Sequence, residues 1–334
     1  MCTQGSGWVT FTRSHCKFNL KYHMALISLG SSPIHYFSKS AVSSTQDLVT
    51  FQSLPAPFPV HNQIQHACVD TSGLCVAVSN SGLAATTTDF ETWSSYQLPG
   101  RNSQFMKVIH ANQFVAVGYM RQPDLSEQAT VFTSTNAFDG FSWYALQILP
   151  NRMSCLMDVV SLPAGQLVAV GINTDTAPTQ SVLTWGTLNT PWQVISLPPE
   201  LQGGIYSVKY DAALNRLWLG GAGWVATGIW TQNSTTWTKT QLPLPAQPVN
   251  LIEYHAGKVT CVSRDQIFVS ANLFDYDQTQ LTGHAITAIT VFDDQIILGT
   301  ESFLNAHSAF VLNTADLSLQ GVQSGVSARA FIVI

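Results

Sequence analysis

The segment Trp192-Gln-Val-Ile-Ser-Leu-Pro198 decides the fold, because its pattern W-x-x-x-x-L-P returns from Trp93 to Pro99 and from Trp237 to Pro243. Looser versions of the pattern begin at Phe51, Trp143 and Tyr276. The six aromatic residues follow one another at intervals of 42, 50, 49, 45 and 39 residues, an average of 45. A period of this length indicates one supersecondary unit per repeat.

A second marker follows the same period. It is a short apolar run that ends in a small residue, and it occurs seven times: Ala25 to Gly30, Cys75 to Ser79, Phe114 to Gly118, Leu167 to Gly171, Leu217 to Gly220, Val259 to Ser263 and Ile296 to Gly299. Such a run is typical of a strand that is buried on both faces near a crowded centre.

Each repeat contains four short candidate strands separated by turn residues, and no long stretch has a helical period. In the fourth repeat the strands are predicted at Cys155 to Ser161, Gln166 to Ile172, Ser181 to Thr187 and Trp192 to Leu197. Four strands per 45 residues predict an all-β chain folded as a β-propeller of seven four-stranded blades. An eight-bladed propeller and a β-sandwich are the alternatives. We expect one domain over residues 1–334, with residues 1–6 as a flexible tether.

Two segments fall outside the seven repeats. Trp8 to Arg13 is similar to an outer strand, and Ala328 to Ile334 is similar to an inner strand. Propellers can remove exposed strand edges by pairing the two ends of the chain. We therefore expect strands from both termini to close the ring.

The turn before the repeated aromatic is similar to a known sequence motif. The strings Thr87-Thr-Asp89-Phe-Glu-Thr-Trp93 and Ser134-Thr-Asn136-Ala-Phe-Asp-Gly-Phe-Ser-Trp143 resemble the Asp box, S-x-D-x-G-x-T-W, of sialidase-type propellers. The resemblance implies a seven-bladed propeller in which the turn stabilises the outer strand, away from the ligand. Sialidase activity is not expected, because the arginine motif of that family is missing near the start of the chain.

Composition excludes several classes of protein. The chain of 334 residues has 46% hydrophobic and 10% charged residues, and its 14 basic and 19 acidic residues give a net charge of −5. These values predict a large buried core rather than disorder. The basic residues are scattered, so nucleic acid is not an expected partner. No apolar run approaches the ~18 residues of a membrane span.

The cysteines give limited information about compartment and redox state. The six are dispersed and none forms a C-x-x-C pair, so no zinc site is expected. Cys68 and Cys75 flank a turn and could face one another across a hairpin, or be two buried thiols. Cys2 would suit the lipid anchor of a bacterial lipoprotein. Low charge and the sequon at Asn233 favour an extracytoplasmic location, whether secreted, periplasmic or lipid-anchored.

Candidate ligand contacts lie in the loops that leave each outer strand and in those between the second and third strands, because these loops converge around the central channel. Arg101 and Arg152 share one register in successive blades, and Arg121 in a long loop could join them. Glu200 and His284 occupy the same register elsewhere. Guanidinium groups side by side favour a carboxylate, sulfate or phosphate.

Sugar binding would use exposed aromatic platforms, for which we predict Trp224, Tyr119 and Phe303. Glycoside hydrolysis would need two facing carboxylates, and the loop candidates share no local motif. These are Asp124, Asp175, Glu200, Asp265 and Glu301. No metal or cofactor motif is present, so neither is expected. The sequence favours a non-catalytic propeller that binds a glycan or a protein; the alternative is a glycoside hydrolase or lyase with a site in the central pocket.

Overall fold

The chain folds as a seven-bladed β-propeller built from seven antiparallel sheets of four strands. The computed structural model describes residues 25–31, 40–48, 52–59, 62–98, 103–137, 143–147, 154–175, 178–188, 190–231, 236–243, 247–272, 274–301, 309–322 and 327–334. Their only helical elements are two 3-10 turns, Pro163–Gly165 and Pro199–Leu201, and no helix there has the length and apolar character needed to cross a bilayer. The seven-bladed prediction is confirmed in preference to the eight-bladed and β-sandwich alternatives.

We number the blades I to VII around the ring and the strands in chain order. The innermost strands, from blade I to blade VII, are β28 (Ser327–Val333), β4 (Ile64–Val69), β8 (Gln104–His110), β12 (Ser154–Ser161), β16 (Ile205–Asp211), β20 (Leu251–His255) and β24 (Ala285–Phe292). The second strands are β1 (Leu26–Ser31), β5 (Cys75–Ser79), β9 (Phe114–Arg121), β13 (Gln166–Asn173), β17 (Arg216–Gly221), β21 (Lys258–Ser263) and β25 (Gln295–Glu301).

The third strands are β2 (Ser40–Thr45), β6 (Leu83–Thr87), β10 (Glu127–Ser134), β14 (Gln180–Thr187), β18 (Trp224–Ile229), β22 (Gln266–Ser270) and β26 (Ala309–Leu312). The outer strands are β3 (Gln52–Leu54), β7 (Ser94–Gln97), β11 (Trp143–Gln147), β15 (Gln193–Val194), β19 (Trp237–Gln241), β23 (Asp277–Gln280) and β27 (Leu319–Val322). The four strands predicted for the fourth repeat are confirmed, with the outer strand shorter than expected.

The hydrophobic core consists of seven clusters, one in each gap between neighbouring blades. Second strands contribute to both gaps beside them because their side chains alternate between the two faces. In β5, Cys75 and Ala77 face blade I, whereas Val76 and Val78 face blade III. The apolar runs found in the sequence are therefore strands buried on both faces, as predicted.

The repeated aromatic residues pack in the gap between their own blade and the preceding one. Trp93 contacts the cluster of blades I and II, Trp143 that of II and III, and Trp192 that of III and IV. Trp237 and Tyr276 occupy the next two gaps. All five of these aromatic residues therefore pack between neighbouring blades, while Phe51 lies outside the described residues.

The turn before Trp93 is held by its own short side chains. The Thr87 hydroxyl donates to Asp89 Oδ1 at 2.9 Å, and the same carboxylate accepts the backbone N–H groups of Glu91 and Thr92. These N–H groups lower the pKa of Asp89 below its ordinary value. The hydrogen bonds explain why a hydroxyl and an acidic residue recur before the aromatic.

The ring is closed by pairing the end of the described chain with its beginning. Strand β28 is antiparallel to β1, from Leu26 opposite Val333 to Ser31 opposite Ser327. Ala25 and Ile334 exchange both backbone hydrogen bonds. The prediction that Ala328 to Ile334 forms an inner strand is confirmed, and Trp8 to Arg13 lies outside the described residues.

Cys68 and Cys75 are free thiols on opposite faces of blade II. Cys68 is paired with Val76 in the β4–β5 register and packs toward blade III, whereas Cys75 packs toward blade I. Burial raises the pKa of both thiols. Their alternation along the two strands excludes the disulfide that the sequence left open.

Candidate functional site

A ring of β-bulges surrounds the central channel. In β4, for example, Ile64 pairs with Ser79 and His66 with Val78, which leaves Gln65 without an opposite residue. Six of the seven innermost strands have such a bulge, and β20 is the exception. The bulged residues are Gln65, Met106, Met157, Tyr206, Thr287 and Arg329. All six line the channel, as expected if each bulge redirects side chains toward the axis.

The small residue that ends the apolar run of the second strand makes room for the bulged strand in blades III and IV. A Cβ atom on Gly118 would overlap the carbonyl oxygen of Gln104, and one on Gly171 would overlap that of Cys155. A Cβ atom on Gly220 would lie 2.6 Å from the carbonyl oxygen of Val249, and one on Gly299 would lie 2.9 Å from that of Ala328. These four glycines are therefore required by close approach of neighbouring backbone.

The channel contains a cavity of about 510 Å³ that all seven innermost strands line. This volume lies within the range of sites for small organic ligands. On the side of blades VII and I the wall includes the apolar residues Ile289 and Phe331 together with Thr287, Thr290 and Arg329. The cavity wall therefore combines apolar and polar groups on this side, whereas charged pairs dominate in blades III to VI.

Four consecutive blades contribute charged residues of alternating sign to the cavity wall. We call Lys107, Asp158, Lys209 and Glu253 the ionic arc. Lys107 Nζ lies 2.5 Å from Asp158 Oδ1, and Lys209 Nζ lies 2.7 Å from Glu253 Oε1. Each ion pair joins the innermost strands of two blades.

Asp158 also accepts two backbone hydrogen bonds, from Val159 at 2.7 Å and from Val208 of blade V at 2.9 Å. Other polar side chains connect successive blades in a similar way. Ser207 donates to the carbonyl of Val249 at 2.7 Å, and Thr287 donates to that of Ala328 at 2.5 Å. These polar contacts link blades III to VI in sequence and thereby fix the positions of the ionic arc.

His66 continues the polar wall in blade II as a neutral imidazole. Burial, together with the positive charge of Lys107, lowers its pKa from 6.5 to about 3, although a backbone hydrogen bond to Val108 opposes the shift. Its Nδ1 atom is buried and has no hydrogen-bond partner among the described residues. At neutral pH the ring therefore presents an uncharged acceptor.

The low pKa of His66 predicts a loss of stability on acidification. The unfolded chain takes up a proton below pH 6.5 that the folded protein does not bind until about pH 3, so stability falls as the pH drops through this window. Between pH 7 and pH 5 the loss from this residue is about 2 kcal/mol. In urea denaturation, the free energy of unfolding of His66→Gln should fall by about 2 kcal/mol less between pH 7 and pH 5 than that of the wild type. His110→Gln, on the next inner strand, is the control, and an equal pH dependence of wild type and His66→Gln would contradict the assignment.

None of the sequence-based ligand candidates that the structure describes belongs to the cavity wall. Arg101 and Arg152 are outside the described residues. Glu200 and His284 lie, as expected, in loops between an outer strand and the next inner strand. The Glu200 carbonyl accepts a hydrogen bond from Lys239 at 2.5 Å, and the His284 ring packs edge-on against Phe310. Neither belongs to the cavity wall.

Arg121 lies at the end of a strand, because β9 and β10 extend into the predicted long loop and leave residues 122–126 between them. Each has eight residues, against five in β5 and β6, and the additional residues lengthen the hairpin at about 3.3 Å each. Arg121 forms an ion pair with Glu127, the residue opposite it on β10, and the Tyr119 hydroxyl donates to Gln104 of β8 at 2.6 Å. Arg121 is therefore paired across its own hairpin.

Trp224 differs from its predicted role as an exposed stacking platform. The glycine-rich segment before it indicated a loop, but Trp224 begins β18, is 2% exposed and packs in the cluster of blades IV and V. Its ring lies beneath Lys239, whose Nζ is 5.5 Å from the ring centroid. Trp224 is therefore a core residue that a ligand cannot stack on.

Sequence reasoning missed the ionic arc, although a signal for it was present. Lys107, Asp158, Lys209 and Glu253 are separated by 51, 51 and 44 residues, close to the repeat period, in a chain with few charged residues. Asp158 in particular interrupts the apolar string Cys155-Leu-Met-Asp-Val-Val160. One charged residue inside each of these four innermost strands could have identified the channel wall.

Comparisons with known proteins establish the fold alone. No protein-family model matches the chain, and no curated protein sequence matches it. Among solved structures it is similar to a periplasmic gluconolactonase of Pseudomonas aeruginosa, with a TM-score of 0.67 and 11% identity over 93% of this chain and 99% of that one. It is also similar to YCF48 bound to D1 peptide, with a TM-score of 0.59 and 13% identity over 83% and 89% of the two chains. For a virginiamycin B lyase of Staphylococcus aureus the TM-score is 0.56, with 13% identity over 77% and 83%.

Proposed function

We propose that this propeller is a non-catalytic binding protein that takes a small polyhydroxylated ligand of the carbohydrate class into its central channel from the loop-rich face. The observation that carries the proposal is the lining of the cavity of about 510 Å³. The wall combines ionic and hydrogen-bonding groups with apolar side chains, which suits the hydroxyl groups and the C–H faces of a sugar ring.

The pairing of the charged groups favours binding over catalysis. Asp158 and Glu253 are each held by a lysine, and Asp158 accepts backbone hydrogen bonds as well. A carboxylate in such contacts is poorly suited to act as a nucleophile or to deliver a proton. The wall is instead preorganised, which reduces the cost of ordering side chains when a ligand binds.

The proposal is tested by titration calorimetry of the purified chain with a panel of mono- and disaccharides and their acids. We expect one ligand per chain, bound in the channel. Thr290→Trp, which fills the cavity wall, should abolish binding, whereas Thr238→Trp on the exposed outer strand β19 should leave it unchanged. Failure of every member of the panel to bind, or equal binding by Thr290→Trp and the wild type, would reject the proposal.

A glycoside hydrolase or lyase activity is the second candidate, because Asp158 and Glu253 line the same cavity. The fold also occurs in a gluconolactonase and in a virginiamycin B lyase. This candidate predicts turnover of aryl glycosides that Glu253→Gln abolishes. Tight binding without turnover would reject it.

We also propose an extracytoplasmic location. Its support is the low content of charged residues and the similarity in fold to a gluconolactonase that is described as periplasmic. A fusion to alkaline phosphatase, which is active only after export, tests the proposal, and an inactive fusion of intact length would count against it.

A further inference from the structure

We infer that the channel ligand is a monocarboxylate of the sugar-acid class, whose carboxylate is bound by the ammonium groups of Lys107 and Lys209. The inference rests on the proposed function, since it specifies the ligand of the same channel. It differs from the anion site predicted for the loop arginines, because it places the anion within the ring of innermost strands.

The members of the ionic arc differ in exposure. The side chains of Lys107 and Lys209 are 25% and 37% exposed, whereas those of Asp158 and Glu253 are 10% and 12% exposed. The lysines are therefore the more accessible members of the arc for a ligand in the cavity. The more buried carboxylates hold the lysines at the cavity wall.

Both lysines have hydrogen-bond donors that no described residue uses. An ammonium group has three donors and no acceptor. Lys107 contacts one carboxylate oxygen of Asp158, and Lys209 contacts both oxygens of Glu253, at 2.7 and 2.9 Å. Among the described residues each lysine thus retains at least one donor for a ligand oxygen, and charge-assisted hydrogen bonds to a carboxylate are among the strongest in proteins.

Asp158 connects the two strands that carry the lysines. It contacts Lys107 through Oδ1 and accepts the backbone N–H of Val208, the neighbour of Lys209, through Oδ2. Lys107 and Lys209 therefore lie on the innermost strands on either side of Asp158, and both line the cavity. We place the ligand carboxylate at this part of the wall.

The test compares matched acids and neutral sugars by titration calorimetry at low salt: D-glucuronate against D-glucose, and D-galacturonate against D-galactose. We expect an acid to bind at least about 10-fold more tightly than its neutral partner, since one hydrogen bond between charged groups is worth about that much. Lys209→Met should weaken the acid about 10- to 100-fold and the neutral sugar less than about 3-fold.

Two further variants separate a ligand contact from damage to the fold. Lys209→Met with Glu253→Gln removes both members of the pair and should show the same selective loss without leaving a buried carboxylate unpaired. Glu253→Gln alone removes a competing negative charge and should tighten acid binding several-fold, the opposite of what a structural role predicts. Lys258→Met, on β21 beside Thr314, is the control.

The outcomes distinguish this inference from the proposed function. The inference would be overturned if neutral sugars bind as tightly as their acids, or if Lys209→Met does not change acid binding. Either result would still agree with a channel that binds sugars. Absence of binding by both acids and neutral sugars would overturn the inference together with the proposed function.

Discussion

Replacing Ala330 by aspartate is expected to destabilise the folded protein by more than about 4 kcal/mol, because the change buries a charge where the ring closes. Ala330 is 2% exposed on β28 and packs in the cluster between blades I and II. The strand has no covalent connection to the rest of blade I except through the other six blades. Its pairing with β1 therefore holds the ring shut.

A second substitution to aspartate in the same strand shows whether the loss of stability comes from burying the charge at the ring closure or from adding a charge to the strand. Val333 is 40% exposed, so Val333→Asp should cost less than about 1 kcal/mol. Urea denaturation of both variants, followed by tryptophan fluorescence, measures the difference. Similar midpoints for Ala330→Asp and the wild type would mean that β28 does not close the ring in solution.

Gly118→Ala is expected to cost about 3 kcal/mol or more, the second-largest effect. The new Cβ would overlap the backbone of Gln104 and Phe105, so the innermost strand of blade III would have to move. Overpacking of a closely packed site costs about 1–3 kcal/mol, and more when backbone must shift. The movement would also displace Lys107 and weaken ligand binding in the channel.

Gly257→Ala is the control for this substitution. Gly257 has a φ of +78°, and a Cβ there would meet nothing within 4 Å, so the only cost is left-handed backbone strain of about 1 kcal/mol. The two variants should differ in free energy of unfolding by about 2 kcal/mol, measured by urea denaturation. If the free energy of unfolding of Gly118→Ala is no lower than that of Gly257→Ala, Gly118 is not required by the bulge in β8.

The fold could be predicted from the sequence because each blade is packed against its neighbours by the same types of residue at the same positions. An aromatic residue such as Trp93 or Trp143 fills the gap to the preceding blade, and a small residue such as Gly118 or Gly171 makes room for the innermost strand. Both requirements are local and leave a fixed pattern at the repeat period. The bulges that the glycines accommodate were not predicted, because the extra residue has no pattern of its own.

The charged residues of the channel wall were not predicted, because the wall combines single residues from different repeats. Lys107 meets Asp158, and Lys209 meets Glu253, only when neighbouring blades pack together, and each alone is an ordinary charged residue in a strand. Loop arginines attracted more weight because loops at one register of successive blades are expected to converge on the channel. The structure pairs Arg121 with Glu127 across a hairpin.

The measurement that tests the central claim most directly is a methyl NMR titration of the methionine-labelled protein with the sugar acid that binds most tightly. Met106 and Met157 are bulged residues on the cavity wall, whereas Met120 on β9 packs in the cluster between blades II and III. A ligand held in the channel should shift the Met106 and Met157 signals saturably and leave that of Met120 in place. Saturable binding that leaves both Met106 and Met157 unmoved would place the ligand elsewhere and contradict the account.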